Sequence, residues 1–182
     1  MKFLIVSDIH GSAYYAQKAI DAFHKFKCDK ILLLGDILYH GPRNPLPKDY
    51  DPKKVIALLN PLSNAIIACR GNCDSEVDQM VLSFPITNDS QTIPLQERSI
   101  FISHGHIYNP DRLPENIKDD DIFLFGHIHI PIMEKQQQIH IINPGSISLP
   151  KENTPHTFGI LEGDAYEWID VDYNILNTYK LK

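Results

Sequence analysis

Seven side chains able to grip a metal ion stand at the ends of five apolar runs: Asp8 and His10, Asp36, Asn72, His104, and His127 with His129. One histidine or aspartate in such a place is usually a helix cap or a core group with its hydrogen bonds made. Seven so placed need a common cause. Carboxylate, imidazole and amide oxygen without thiolate suit Mn²⁺, Fe, Zn²⁺ or Ni²⁺ better than a structural zinc cage, which draws on cysteine. Two divalent ions held by this set bring four positive charges, against which only Asp8 and Asp36 are anionic. A bridging hydroxide removes one more charge. The surplus matches an anionic phosphoryl group, with ions roughly 3.5–4 Å apart activating water and holding substrate oxygens.

For these groups to meet, the runs must be strands that end on a common edge. Residues 3–7, 31–34 and 64–69 read as buried strands, with helical patterns between them. Ser12 is placed to cap a helix in which Ala16, Ala19, Ile20 and Phe23 share one face. Asp51-Pro52 opens a second helix, the acid at the N-cap and proline at the first helical position. Residues 39–51, broken by Gly41, Pro42, Pro45 and Pro47, form a loop beside the site. Strand-helix-strand-helix-strand order predicts parallel strands whose carboxyl ends share one edge. A dinucleotide-binding unit has the same order, but the first turn is Asp-Ile-His-Gly and lacks the G-x-G-x-x-G phosphate cradle.

From residue 76 a short helix precedes a hairpin of 92–96 and 99–103. Further strands follow at 122–125, 132–135, 139–142, 157–161, 166–171 and 175–179. With the first half, this suggests two stacked sheets flanked by helices in a single domain spanning 1–182. The triplet Asp119-Asp120-Asp121 reads as a solvated turn before a strand. A formal net charge of −6 argues against broad nucleic-acid or anionic-membrane binding. Only four apolar residues in a row precede Asp8, too few for a signal peptide or membrane span. Cys28, Cys69 and Cys73 form no C-x-x-C pair, and reduced thiols in a cytoplasmic protein are the expectation.

The order Asp8-x-His10, Gly35-Asp36, Gly71-Asn72, His104 and Gly126-His127-x-His129 resembles the calcineurin-like metallophosphoesterase superfamily over essentially the whole chain. Three further stretches are similar to its small bacterial phosphodiesterases of the YfcE type: Gly71-Asn72-Cys73-Asp74-Ser75-Glu76-Val77-Asp78, His40-Gly41-Pro42-Arg43-Asn44, and Asn143-Pro144-Gly145-Ser146. The resemblance implies an αββα sandwich of mixed sheets and two divalent ions bridged by Asp36. Asp8, His10 and His129 then complete one metal site; Asn72, His104 and His127 complete the other. It also implies manganese as the usual activator and in-line attack by a metal-bound hydroxide on a small phosphodiester. Zn²⁺, Fe²⁺ and Ni²⁺ fit the same ligands.

Most of the superfamily has histidine where Cys73 stands, so Cys73 is either a catalytic thiol suited to acidic leaving groups or a packed small side chain. Asp36 and Asn72 are catalytic candidates through the metals, and His106 is a proton donor lining the cleft or a hydrogen-bond partner of a ligand. Arg43 and Arg70 are candidate donors to phosphate oxygens, with a surface salt bridge the alternative for either. His40 is a weaker candidate of the same kind, and Asn143-Pro144-Gly145-Ser146 reads as a turn packed under the site. Two rival functions share the fold: a phosphomonoesterase or pyrophosphate-bond hydrolase, and a non-catalytic protein-interaction scaffold such as the retromer subunit. A homo-oligomer is compatible with the sequence.

Overall fold

The computed structural model describes residues 1–182. In chain order its first half comprises β1 (Lys2–Val6), α1 (Ala13–Lys25), β2 (Lys30–Leu33), α2 (Pro52–Leu59), a 3₁₀ turn (Asn60–Ala65), β3 (Ile66–Ala68) and α3 (Glu76–Gln79). The second half is all strand: β4 (Ser90–Pro94), β5 (Ser99–Ser103), β6 (Ile122–Leu124), β7 (Pro131–Gln136), β8 (Ile139–Pro144), β9 (Thr157–Glu162), β10 (Ala165–Asp170) and β11 (Ile175–Lys180). These strands make two mixed sheets, ordered β11-β10-β9-β1-β2-β3 and β4-β5-β6-β8-β7.

Side-chain alternation along β1 shows how the layers form. Phe3 and Ile5 face the second sheet and join Leu32, Leu34, Ile102, Leu124 and Ile142 in the inter-sheet core. Leu4 and Val6 point the other way, onto Ala16, Ala19 and Ile20 of α1 and Val55 and Leu59 of α2. Both helices begin as their caps predict, with Ser12 accepting from Tyr15 N and Asp51 from Lys54 N. The outer face of the second sheet, carrying Phe101, Phe123 and Ile141, is covered by Tyr108, Leu113 and Ile117 of an irregular segment. Pro110 and Pro114 interrupt that segment, so the helix layer lies on the first sheet alone.

Two local expectations need correction. Asn64 and Ala65 belong to the 3₁₀ turn, so the third strand is only Ile66–Ala68. Asp121 is not solvated: it is buried and accepts hydrogen bonds from Ser99 N at 2.6 Å and Lys118 N at 2.8 Å, pinning the start of β6 to β5.

What matters for function is strand direction. β1, β2 and β3 run parallel in one sheet, and β5, β6 and β8 run parallel in the other. The residues following β1, β2, β3, β5 and β6 converge where the sheet edges meet.

Candidate metal centre

The loops leaving these strands are tied to one another through backbone hydrogen bonds. Asp8 N donates to Gly35 O (3.2 Å), His10 N to Asp36 O (2.9 Å) and Gly126 N to His104 O (2.8 Å). Five of the candidate ligands adopt left-handed backbone: Asp8 (φ 57°), His10 (50°), Asp36 (54°), His127 (67°) and His129 (62°). That conformation costs an L-residue about 1–2 kcal/mol, although aspartate and histidine adopt it more readily than branched side chains. Strain gathered in one place marks a functional site. Close approach explains the neighbouring glycines. A Cβ on Gly71 would strike the carboxylate and backbone N of Asp36, and one on Gly126 would strike Ser7 Oγ and lie 2.8 Å from Asp8 Oδ2.

Asp8, His10 and His104 are fully buried, and His129 and Asp36 nearly so. Each imidazole is oriented from behind by a carbonyl: His10 Nδ1 bonds to Tyr39 O (2.9 Å), His129 Nδ1 to Leu149 O (2.6 Å) and His104 Nδ1 to Leu34 O (2.6 Å). A carbonyl only accepts, so each Nδ1 carries the proton and each Nε2 turns a lone pair inward. There the lone pairs meet one another. His10 Nε2 lies 3.2 Å from His129 Nε2 and 3.6 Å from Asp8 Oδ1, which is itself 3.2 Å from His129 Nε2. His104 Nε2 faces Asp36 Oδ2 at 3.4 Å and Asn72 Oδ1 at 3.0 Å. Asp36 Oδ2 is also 3.7 Å from His10 Nε2, which puts it between the two groups.

With the rings neutral, acceptors face acceptors at these distances and repel unless a cation, either a proton or a metal ion, lies among them. Asp8 Oδ1 is buried without any hydrogen-bond partner, although Ser7 Oγ (2.5 Å) and His127 N (3.1 Å) satisfy the other oxygen. Protons compete for the same places. Burial opposes charge on His104, yet Asp36 and Asp8 lift its pKa to about 9, and the same two carboxylates raise His10. Burial would raise Asp8, but His10, His129 and His104 hold it well below the usual carboxylate range, and His104 does the same for Asp36. The donor set therefore fits divalent cations, with Asp8, His10 and His129 forming one cluster and Asp8, Asp36 and His104 another.

The remaining sequence candidates fall around this centre. His127 stands outside both clusters, half-buried, with its ring centroid 5.1 Å from that of His104. Cys73 lines the cleft, its N–H donating to Asp36 Oδ1 (2.8 Å); burial and the nearby Asp36 push its thiol pKa up. His106 lies beyond His104, its ring 5.4 Å away and its Nδ1 unpartnered, and burial together with His104 lowers its pKa. Arg43 lines the cleft and makes no ion pair, whereas Arg70 is paired with Asp89 at 2.9 Å. His40 is held away from the cleft lining, its ring packed edge-on to Tyr50.

Several supporting residues were named in sequence only as members of motifs, or not at all. Asp74 is buried and accepts from Asp36 N (2.9 Å), Ile37 N (2.8 Å) and Gly71 N (2.7 Å), so one carboxylate clamps two ligand loops together. Burial and the neighbouring Asp36 charge lift its pKa to about 6 against the hydrogen bonds from Ile37 N and Gly71 N. Ser146 and Ser148 both donate to Asp8 O, at 2.9 and 2.8 Å. Lys151 lines the cleft opposite the proline-rich loop. The Asp74 signal was present in its place two residues after Asn72, and Ser146 belongs to the Asn143-Pro144-Gly145-Ser146 turn expected under the site; Ser148 and Lys151 carry no pattern along the chain.

Fold and centre together define a metal-binding phosphoesterase class, and the chain belongs to the calcineurin-like phosphoesterase superfamily, whose domain model matches residues 1–165. It is 43% identical to phosphodiesterase YfcE of Escherichia coli K12 over 165 residues, covering 91% of this chain and 89% of that one. The solved structure of that E. coli phosphoesterase superposes with a TM-score of 0.97 over the whole of both chains, at 40% identity. Phosphodiesterase MJ0936 of Methanocaldococcus jannaschii is 26% identical over 179 residues, covering 94% of this chain and 98% of its own. The Vps29 structure from Entamoeba histolytica complexed with zinc shares the fold at a TM-score of 0.68, with both chains covered in full, but only 18% identity.

Proposed function

We propose that this protein is a metal-dependent phosphodiesterase acting on a small substrate in the cytoplasm, with Mn²⁺ the working ion. The observation that carries the reading is the meeting of the His10 and His129 Nε2 atoms, 3.2 Å apart, over a buried Asp8 oxygen without a partner. Burying such a constellation is costly unless a cation lies within it, which favours a metal site. Asp8, His10, His129 and Asp36 would hold one ion, and Asp36, Asn72, His104 and His127 the second. Two ions bound there supply a nucleophilic hydroxide and Lewis acidity at the phosphoryl oxygens.

The protein's own residues do the rest. The carbonyls of Tyr39, Leu149 and Leu34 fix the imidazole tautomers, and Asp74 fixes the loop of Asp36. Arg43, free of a carboxylate partner, is a donor to anionic oxygens of a substrate in the cleft. The Cys73 thiol, lining the cleft where most of the superfamily has histidine, is a poorer proton donor to a leaving oxygen than an imidazolium, which favours diesters with acidic leaving groups. Diester cleavage is favoured over monoester cleavage by the relatives' named activity. The test is a panel of bis-p-nitrophenyl phosphate, p-nitrophenyl phosphate and a dinucleoside pyrophosphate with Mn²⁺. The diester is expected to be turned over at least tenfold faster; equal or greater monoester or pyrophosphate turnover would overturn the assignment.

A further inference from the structure

Two pockets flank the centre, and they differ in charge. The first, a cleft of about 590 Å³, is bounded by Arg43 and Asn44 on one lip and Lys151 on the other. The second, about 400 Å³, has a floor of Phe125, Ile128 and Ile132 and contains no lysine or arginine; its one carboxylate is Asp111. His127 and Ile128 line both, so the two pockets adjoin across that pair, and the first, which also contains Asp36, Asn72 and His129, is the one that opens onto the centre.

Lys151 is placed there by the machinery that builds the centre. Its N–H donates to His129 O at 3.2 Å, and the chain leading to it is anchored by Ser146 and Ser148 on Asp8 O and by Leu149 O on His129 Nδ1. Thr154 closes the turn behind it, donating through Oγ1 (2.8 Å) and N (3.0 Å) to Lys151 O. Arg43 sits on an equally fixed loop, closed by Asn44 N on Gly41 O (3.2 Å) and Asn44 Nδ2 on His40 O (2.8 Å). Neither cation has a carboxylate partner, and both line the cleft that holds Asp36, Asn72 and His129. Unpaired cations on rigid lips of a cleft are built to meet an anion.

We propose that Lys151, with Arg43, forms an anion subsite that reads the ester arm beyond the scissile phosphorus. The substrate is an asymmetric phosphodiester, one arm bearing a second phosphate group and the other uncharged and apolar. The inference rests on the phosphodiesterase reading. It assigns Lys151 to specificity, since its ammonium reaches an arm that takes no part in bond cleavage.

The test compares thymidine 5′-(p-nitrophenyl phosphate) with the same ester phosphorylated at the 3′ position, and adds p-nitrophenyl phosphorylcholine as the cationic arm. Wild-type Mn²⁺ enzyme is expected to favour the 3′-phosphorylated ester by about tenfold in kcat/KM, the scale of one charge-assisted hydrogen bond. Lys151→Glu should bring that ratio below one and raise preference for the choline ester, while Lys151→Arg keeps the wild-type order. A structural role for Lys151 would lower all three rates together and leave their ratios alone. If wild type turns over the esters but Lys151→Glu shows unchanged ratios, the subsite is wrong and the diesterase reading stands. If no ester is cleaved, the diesterase reading falls. Equilibrium binding of thymidine 3′,5′-bisphosphate against thymidine 5′-phosphate then decides the subsite. Tighter bisphosphate binding that Lys151→Glu abolishes supports it, and equal affinities overturn it.

Discussion

At the scale of single residues, the ligand types were legible because metal chemistry admits few side chains, and Asp8, His10, Asp36, Asn72, His104 and His129 do meet. Their left-handed backbone was not legible, since aspartate and histidine are also common in ordinary turns. Asp74 illustrates the other gap: its three bonds run to backbone N–H groups, which no side-chain pattern records. Asp74→Ala should cost about 2–4 kcal/mol by leaving buried donors unmet, and weaken metal affinity at least tenfold. Chemical denaturation and metal titration of the variant check both. Cys73→His gives a sharper reading of the thiol. With a stronger proton donor near the leaving oxygen, the dependence of rate on leaving-group pKa across a series of aryl diesters should flatten; an unchanged slope would make Cys73 a packing residue.

At the scale of elements, capping and periodicity placed α1 and α2, and apolar runs placed most strands, because each signal is local. The 3₁₀ turn before β3 and the burial of Asp121 were hidden because packing against distant segments decides them. Also hidden was the joint between α1 and the loop that carries Ser146 to Lys151. His156 stacks on Tyr15 with ring centroids 4.3 Å apart, takes the Tyr15 hydroxyl at 2.9 Å and bonds to Ile147 O at 3.0 Å. Burial lowers the His156 pKa, so the fold prefers the neutral ring. That contribution is whole above the ordinary histidine pKa of about 6.5 and is lost as pH falls through the lowered value. Stability should therefore drop more steeply between pH 7.5 and 5 in the wild type than in His156→Gln, as read by urea unfolding at each pH. Gly126→Ala tests the strand-end packing: its Cβ would displace Ser7 and Asp8, and metal binding should fall at least tenfold on titration.

At the scale of the whole molecule, the two-sheet sandwich was legible from the order of elements, whereas the charge difference between the two flanking pockets was not. The lips of the cleft come from residues 41–44 and 151, brought together only by the fold. The candidate ligands likewise come from both sheets, so ions bound there would clamp the sandwich shut. Removing them with a chelator should lower the melting temperature by roughly 5–10 °C relative to protein at a hundredfold excess of Mn²⁺ over its dissociation constant. The central claim is that this cluster is a working two-ion centre for diester hydrolysis. It is tested most directly by stripping the protein of metal, restoring Mn²⁺ stepwise and following bound ions and bis-p-nitrophenyl phosphate hydrolysis together, with Asp36→Asn alongside. The account predicts activity that rises with the second ion bound per chain and is lost in Asp36→Asn, which retains at most one. Full activity without metal, or two ions bound with no hydrolysis of the diester, would contradict it.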